Sequence, residues 1–301
     1  MTFAELRSLV FGSHGLGDFQ AGLDAISIYV PGNEDERVDL AFWRMCLLSL
    51  LGRLEEACDV FAESLDDGHW WSEAVLQDPD LDNVRSALDW QRLAAVSVSH
   101  AEAAKRVDRL PIDLATSNRV RATLVLLHGR AERPQTMIDR CASAAEDDLR
   151  MLALHGPEPY ASNRFGWPLE DCEQAVIDQI AAAEEVVTPI LVGFSQGAGL
   201  AGWMAWSGRV PARGVILVAP AMNIRGVPIP SSALPPVPTY IEVGTEDWAL
   251  GDTRRAAEGL TISGAPVRLE ERAGVDHEWP PNSGEWLPQA INWVMDSTTR
   301  I

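Results

Sequence analysis

The spacing of apolar residues predicts that the first third of the chain, residues 1–108, is helical. Apolar side chains recur there every three or four positions, which is the period of helices that pack on one face. Trp43 and Leu47 lie on one such face, and Ala57 and Phe61 lie on the next. We therefore expect a small all-α domain at the start of the chain.

From residue 109 to residue 301 the pattern alternates between short apolar runs and longer amphipathic stretches. Short runs rich in Val, Ile and Leu predict buried strands, and the stretches between them predict helices. The predicted strands are 120–127, 149–154, 189–193, 214–219, 239–243 and 267–271, and the predicted helices are about 134–145, 169–187, 252–262 and 285–295. Such alternation predicts an α/β domain with a mostly parallel sheet and helices on both faces.

One predicted junction between strand and helix carries the sequence Gly193-Phe194-Ser195-Gln196-Gly197. A serine at the apex of a sharp strand-to-helix turn needs neighbours without Cβ atoms, because the strand and the helix crowd it. Its hydroxyl then stands clear of the strand, and the next amide lies at a helix N-terminus, where negative charge is favoured. The pentapeptide alone is a weak signal in a chain with 23 glycines, so its place between strand and helix is what favours a nucleophile.

A serine hydroxyl is a poor nucleophile at neutral pH and needs a base that is itself oriented by an acid. Asp247 follows the fifth predicted strand, and His277 follows the sixth. In an open parallel sheet, reactive groups gather at the carboxyl ends of the strands. The order Ser195, Asp247, His277 therefore predicts a Ser-His-Asp triad, with Glu246 and Asp252 as alternative acids.

Residues 120–295 resemble the carboxylesterase/phospholipase branch of the α/β-hydrolases, which includes acyl-protein thioesterases and small bacterial esterases. The motifs that carry the resemblance are Leu127-His128-Gly129, Gly193-Phe194-Ser195-Gln196-Gly197, Gly244-Thr245-Glu246-Asp247 and the loop histidine His277. The resemblance implies an α/β-hydrolase fold without a cofactor or metal. It also implies a small acyl-ester substrate, which can be a carboxylic ester, a thioester or a lysophospholipid. Ser195 would attack the acyl carbonyl, His277 would transfer the proton, and Asp247 would hold the imidazolium.

The resemblance further implies an oxyanion hole made by the backbone N–H groups of Arg130 and Gln196. The family usually has a small or apolar residue followed by further glycine after His-Gly. This chain has the charged stretch Arg130-Ala131-Glu132-Arg133-Pro134 there, so we expect a more polar pocket mouth. Four aromatic residues fall in loops at the same end of the domain. They are expected to line the acyl pocket, with scattered packing as an equal alternative: Phe165, Trp167, Trp248 and Trp279.

The helical region resembles about two tetratricopeptide repeats. Gly17 and Gly52 occupy equivalent places 35 positions apart, close to the ~34-residue period of such helix pairs. Two functions fit this region: it binds a protein partner through its helices, or it gates the active site. The alternative is a solvated helical appendage that packs on its neighbour.

Composition narrows the classes of function. A net charge of −20 argues against nucleic acid and anionic membrane surfaces as partners. No apolar run approaches the ~20 residues of a membrane span. The four cysteines lack metal-binding spacing, so we expect reduced thiols in a cytoplasmic protein and no metal site. Two other functions stay open: a serine peptidase of the same fold, and a catalytically silent hydrolase fold that binds a protein.

Overall fold

The computed structural model describes residues 1–115, 120–142, 148–168, 172–183, 186, 188–222 and 236–298. Contacts between residues divide the chain into two units. The first unit consists of Met1–Val107 together with Pro159–Ser162. The second unit consists of Asp108–Glu158 together with Asn163–Ile301. Parts of the predicted helices at 134–145 and 169–187 lie outside the described residues. Within the described ranges, no helix has the length and apolar character needed to cross a membrane.

The first unit is built from helices that end at short turns. They are α1 (Phe3–Gly15), α2 (Phe19–Ser27), α3 (Glu34–Leu50), α4 (Leu54–Asp66), α5 (Glu73–Leu76), a 3₁₀ helix (Pro79–Leu81) and α6 (Leu88–Lys105). Gly17 lies in the turn between α1 and α2, and Gly52 lies in the turn between α3 and α4. Both have φ of 73°, a left-handed conformation that favours glycine. The resemblance to tetratricopeptide repeats beyond this pairing of helices stays a prediction.

The core of the helical unit is rich in aromatic rings. Phe61 on α4 is fully buried, and its ring centroid lies 4.6 Å from that of Trp90 and 5.8 Å from that of Trp71. The segment 159–162 also belongs to this unit. The Tyr160 carbonyl of this segment accepts a hydrogen bond from Ser72 N at 2.9 Å, and Ser162 N donates one to the Trp70 carbonyl at 2.9 Å.

The second unit contains a seven-stranded sheet in the order β1-β3-β2-β6-β7-β8-β9. Its strands are β1 (Ile112–Ala115), β2 (Ala122–Leu127), β3 (Leu149–Leu154), β6 (Ile190–Phe194), β7 (Gly214–Val218), β8 (Thr239–Gly244) and β9 (Val267–Arg272). Every neighbouring pair is parallel except β1 with β3. Two short strands, β4 (Glu158–Ala161) and β5 (Arg164–Gly166), lie outside this sheet.

Helices cover both faces of the sheet, because successive side chains of a strand point to opposite sides. Leu124 and Leu126 of β2 lie in one core with α7 (Pro134–Cys141) and α11 (Ser283–Thr298). Val125 and Leu127 lie in the other core, with the remaining helices of the unit: α8 (Cys172–Ala182), α9 (Ser195–Trp206) and α10 (Leu250–Ile262). The predicted α/β class is confirmed. The loops after β2, β6, β8 and β9 carry the candidate residues.

Candidate active site

The turn that carries Ser195 joins β6 directly to α9. Ser195 has φ of 50°, a left-handed conformation that costs a non-glycine residue about 1–2 kcal/mol. A Cβ atom at Gly193 would lie 2.5 Å from the Cα atom of Ala198, and one at Gly197 would overlap the carbonyl oxygen of His128. The two glycines are therefore required by close backbone contacts, as the sequence pattern predicts.

Ser195, His277 and Asp247 form a continuous series of hydrogen bonds. Ser195 Oγ lies 2.8 Å from His277 Nε2, and His277 Nδ1 lies 2.9 and 3.0 Å from the two carboxylate oxygens of Asp247. The Asp247 side chain is fully buried, and its Oδ1 also accepts a hydrogen bond from Ala249 N at 2.8 Å. With the Nδ1 proton donated to the carboxylate, Nε2 accepts the hydroxyl proton of Ser195.

Backbone hydrogen bonds tie the loop that carries Asp247 to the loop that carries His277. Thr245 N donates to the Arg272 carbonyl at 2.9 Å, and Glu246 N donates to the Val275 carbonyl at 3.0 Å. Gly274 N donates to Thr245 Oγ1 at 2.9 Å. These bonds fix the separation of the two loops, and with it the contact between carboxylate and imidazole.

An ion pair between a buried glutamate and a partly exposed arginine lies at the base of these two loops. Glu242 on β8 is fully buried and accepts two hydrogen bonds of 2.6 Å from the Arg272 guanidinium. The Tyr240 hydroxyl also donates a hydrogen bond to Glu242 at 2.9 Å. Burial of the Tyr240 side chain is the main cause that raises its pKa. The pair links the ends of β8 and β9 just before the loops begin.

One of the four predicted pocket aromatics, Trp248, lies against the imidazole of His277, and a second, Trp279, packs on the neighbouring ring of Phe194. The Trp248 ring centroid is 4.8 Å from that of His277, and the Trp248 side chain is largely exposed. The Phe194 ring lies 5.7 Å from His277, and Trp279 packs on Phe194 at 6.2 Å. Apolar surface therefore flanks the imidazole of His277, and Phe194 was not among the predicted residues.

The structure places Trp167 in the interior, and its place in an acyl pocket stays a prediction. Its side chain is 1% exposed, and its indole Nε1 donates to the His128 carbonyl at 2.8 Å. The Gln196 amide bonds both the Trp167 N–H and its carbonyl, at 3.0 and 2.8 Å. Trp167 is thus hydrogen-bonded both to the loop that carries His128 and to the serine turn. Phe165 is also buried, with the Arg109 guanidinium 4.5 Å above its ring, and its place in a pocket stays a prediction.

The two predicted oxyanion donors lie on adjoining segments. Gln196 is the second residue of α9, where a backbone N–H has no partner within the helix. Arg130 follows Gly129, and a Cβ atom at Gly129 would lie 2.8 Å from the Phe194 ring, so this loop packs directly on the serine turn. The role of the two N–H groups as oxyanion donors stays a prediction.

His128 serves the structure of its loop. It is fully buried, its Nδ1 donates to the Gly129 carbonyl at 2.7 Å, and its Nε2 accepts from Gly156 N at 3.0 Å. Burial lowers the pKa of His128 to about 4. The imidazole is therefore neutral near pH 7 and holds both of its hydrogen bonds.

Glu132 and Arg140 are two residues next to the site that the sequence pattern does not single out. Glu132 accepts a hydrogen bond from Gly129 N at 2.8 Å and two more of 2.8 Å from the Arg140 guanidinium. That guanidinium lies 4.3 Å above the ring of Phe194, the residue before the serine. The sequence predicts only a polar mouth here, because no local pattern links a loop carboxylate with an arginine eight positions later.

One group of possible metal ligands comes together among the described residues, and it lies in the helical unit. Cys46, Asp78 and Asp80 offer ligand atoms within 4.8 Å of one another. Both carboxylates already have protein partners, since Asp78 accepts from Asp80 N at 3.0 Å and Asp80 bonds His14 at 2.8 Å.

No protein-family model and no curated protein matches the chain. Among solved structures, a carboxylesterase from Mesorhizobium loti is similar over 62% of this chain and 97% of its own, with 18% identity and a TM-score of 0.52. An uncharacterized protein from Bacillus cereus ATCC 10987 is similar over 98% of this chain and 99% of its own (18% identity, TM-score 0.49). Zea mays acyl-protein thioesterase 2 is similar over 64% and 100% (13% identity, TM-score 0.48).

The similarity to the Mesorhizobium loti structure concerns the fold. At 18% identity it shows that the C-terminal part of the chain has the α/β-hydrolase fold. Fold alone does not fix an activity, so function has to be argued from the site itself.

Proposed function

We propose that the protein is a serine hydrolase that cleaves carboxylic esters. The observation that carries this proposal is the hydrogen-bonded series of hydroxyl, imidazole and buried carboxylate, with Ser195 Oγ 2.8 Å from His277 Nε2 and His277 Nδ1 2.9 Å from Asp247. The left-handed conformation of Ser195 adds support, because backbone strain of this kind persists where the surrounding structure holds it.

In the proposed reaction, Ser195 Oγ attacks the ester carbonyl carbon while His277 Nε2 takes the hydroxyl proton. Asp247 keeps the ring oriented and stabilises the imidazolium. The tetrahedral oxyanion is bound by the N–H groups of Gln196 and Arg130, and a single such donor is worth about 10²–10³ in rate. His277 then gives its proton to the departing alcohol, which leaves an acyl group on Ser195.

Hydrolysis of the acyl-enzyme repeats the same steps with water as the nucleophile. His277 takes a proton from water, and the hydroxide attacks the acyl carbonyl. The second tetrahedral intermediate collapses when His277 returns the proton to Ser195 Oγ, which releases the acid. Aromatic surface beside the imidazole, from Trp248 and Phe194, suits an apolar part of the substrate. Thioesters and lysophospholipids are the further substrates proposed.

A fluorophosphonate probe tests the proposal, because it phosphonylates only a serine made nucleophilic by its neighbours. We expect the wild type to be labelled and Ser195→Ala to be unlabelled, with ester turnover lower by about 10⁴-fold or more. Ser207→Ala is the matched control, since Ser207 ends the same helix and has no contact with His277 among the described residues. A folded wild type that resists labelling would contradict the proposal and favour a protein-binding role.

Substrate class is resolved by comparing short p-nitrophenyl esters, thioesters and peptide anilides at equal concentration. We expect turnover of the esters. Cleavage of the anilides at a higher kcat/KM than the esters would replace the esterase proposal with a peptidase. A series of acyl chain lengths then measures the size of the acyl site.

A further inference from the structure

Glu132 closes the loop that carries the proposed oxyanion donor. Its carboxylate accepts from Gly129 N at 2.8 Å, and its own backbone N–H donates to the Gly129 carbonyl at 3.3 Å. Its carbonyl accepts from Phe165 N at 2.8 Å. Both the side chain and the backbone of Glu132 therefore hold Gly129, the residue before Arg130.

The bonds to Gly129 fix the direction of the Arg130 N–H. In a trans peptide the N–H points away from the carbonyl of the preceding residue. The Gly129 carbonyl is held by Glu132 N at 3.3 Å and by His128 Nδ1 at 2.7 Å. Because that oxygen is bound from two sides, the peptide plane cannot rotate freely, and the Arg130 N–H on its opposite edge keeps one orientation.

The loop contains backbone strain that these contacts have to hold. Ala131 has φ of 60°, a left-handed conformation that costs an alanine about 1–2 kcal/mol. Such a conformation persists only where the surroundings fix it. The bonds of Glu132 to Gly129 span Ala131 and supply that constraint.

Arg140 anchors the carboxylate to the rest of the site. It lies on α7 and donates two hydrogen bonds of 2.8 Å to Glu132, and both side chains are 20% exposed. Its guanidinium lies 4.3 Å from the ring centre of Phe194 and 5.5 Å from that of Trp279. A planar guanidinium can form the paired hydrogen bonds and stack on rings at once, which a lysine cannot do.

We propose that Glu132 and Arg140 act as a positioning pair that sets the Arg130 N–H for the oxyanion formed at Ser195. This inference rests on the proposed function. The pair joins the loop after β2 to Phe194, the residue just before the nucleophile. The N–H donor and the nucleophile are therefore held at a fixed separation. Glu132 lies in the stretch after His-Gly, where the resemblance in sequence implies a small or apolar residue followed by further glycine.

The expected effect is on kcat, because an oxyanion exists only in the transition state and not in the bound ester. Displacing one donor by about 1 Å costs on the order of 10²-fold. We therefore expect Glu132→Ala to lower kcat by about 100-fold while KM changes by less than about threefold. The wild type and the variants are compared with a p-nitrophenyl ester, and kcat is divided by the active sites titrated with fluorophosphonate.

Two further variants separate the pair from a general loss of folding. Glu132→Gln keeps an oxygen for Gly129 N but loses the charge pair, so we expect a smaller loss of about tenfold in kcat. If the two side chains act as one unit, Glu132→Ala combined with Arg140→Met loses no more activity than Glu132→Ala alone. Additive losses in the double variant would overturn the proposal that they act as a pair.

The matched control is the ion pair of Asp113 with Arg150, which bridges β1 and β3. It has the same two-bond geometry, at 2.8 and 2.5 Å, and contacts neither the serine turn nor the His128 loop among the described residues. We expect Asp113→Ala to lower thermal stability and leave kcat per titrated site unchanged. Equal losses of kcat in Asp113→Ala and Glu132→Ala would reduce the effect to stability and overturn the proposal.

The outcomes for the pair and for the proposed function are distinct. An active wild type whose Glu132→Ala variant keeps kcat within about threefold overturns the positioning role and leaves the hydrolase in place. A rise in KM with unchanged kcat also overturns it, since that would indicate substrate binding in place of oxyanion stabilisation. A wild type that neither reacts with fluorophosphonate nor turns over any ester overturns the function first, and the pair with it.

Discussion

The serine turn and the loop that runs from His128 to Glu132 both hold a strained backbone conformation, but by different contacts. Each holds a non-glycine residue in the left-handed conformation, Ser195 with φ of 50° and Ala131 with φ of 60°. The serine turn is enforced by close backbone contacts at Gly193 and Gly197. The loop is held by hydrogen bonds from side chains. The rigidity of the serine turn thus depends on residues that are close in sequence. The rigidity of the loop depends on side chains that only the fold brings together.

The largest effect expected from this difference is that of Gly197→Ala. The added Cβ atom would overlap the carbonyl oxygens of Leu127 and His128, and backbone at the end of a central strand cannot move aside cheaply. We expect the free energy of unfolding to fall by about 3 kcal/mol or more, with loss of fluorophosphonate labelling. Urea denaturation measures it. The control is Gly251→Ala on α10, where a Cβ atom would meet only the tip of Arg255 at 3.7 Å.

The opposite result would contradict the steric origin of the serine turn. A Gly197→Ala variant with the wild-type urea midpoint and full labelling would show that the serine turn tolerates a side chain, so that its rigidity does not come from backbone contacts. Gly251→Ala should be neutral or stabilising, because alanine is the better helix former by about 1 kcal/mol.

The His128 loop should respond to acid, because its hydrogen bonds require a neutral imidazole. In the folded chain the pKa of His128 is about 4, against about 6.5 in an unfolded chain. The unfolded state therefore binds the proton first, and stability is lost as the pH falls from 6.5 to 4. The difference in pKa corresponds to about 3 kcal/mol.

Comparison of the wild type with His128→Asn isolates this effect. Between pH 7 and pH 4 the free energy of unfolding of the wild type should fall by about 3 kcal/mol more than that of the variant. Chemical denaturation at a series of pH values gives both curves. Parallel curves would show that His128 is not kept neutral by its burial.

The smallest effect is expected from Ala131→Gly, the converse of Gly197→Ala. Glycine relieves a left-handed strain of about 1–2 kcal/mol but adds entropy to the unfolded chain worth about 0.5–1 kcal/mol. We expect the free energy of unfolding to rise by less than about 1 kcal/mol and kcat to stay within about threefold. Urea denaturation and ester turnover test this, and a tenfold loss of kcat would mean that Ala131 itself shapes the site.

Much of the site follows from local patterns in the sequence. The predicted strand at 149–154 coincides with β3 from end to end. The predicted convergence of Ser195, Asp247 and His277 follows from a general property of parallel sheets, whose strands end at one edge. The structure brings these three side chains together across 82 and 30 positions of sequence.

The features that sequence reasoning missed depend on contacts between distant side chains. Aromatic residues in loops read alike in a sequence, yet Trp167 is drawn inward by the His128 carbonyl while Trp248 stays exposed. Glu132 and Arg140 lie on either side of the start of α7, where no helical or strand period relates them. The antiparallel edge strand β1 has four residues, too few for a clear apolar run.

The segment 159–162 makes the helical unit discontinuous in sequence. The helical unit includes these four residues from a stretch between β3 and β5, so it is not one contiguous piece of the gene. A fragment that stops at residue 107 would leave the backbone of Trp70 and Ser72 without the strand that bonds them. The helical unit is therefore complete only in a chain that also includes residues 159–162.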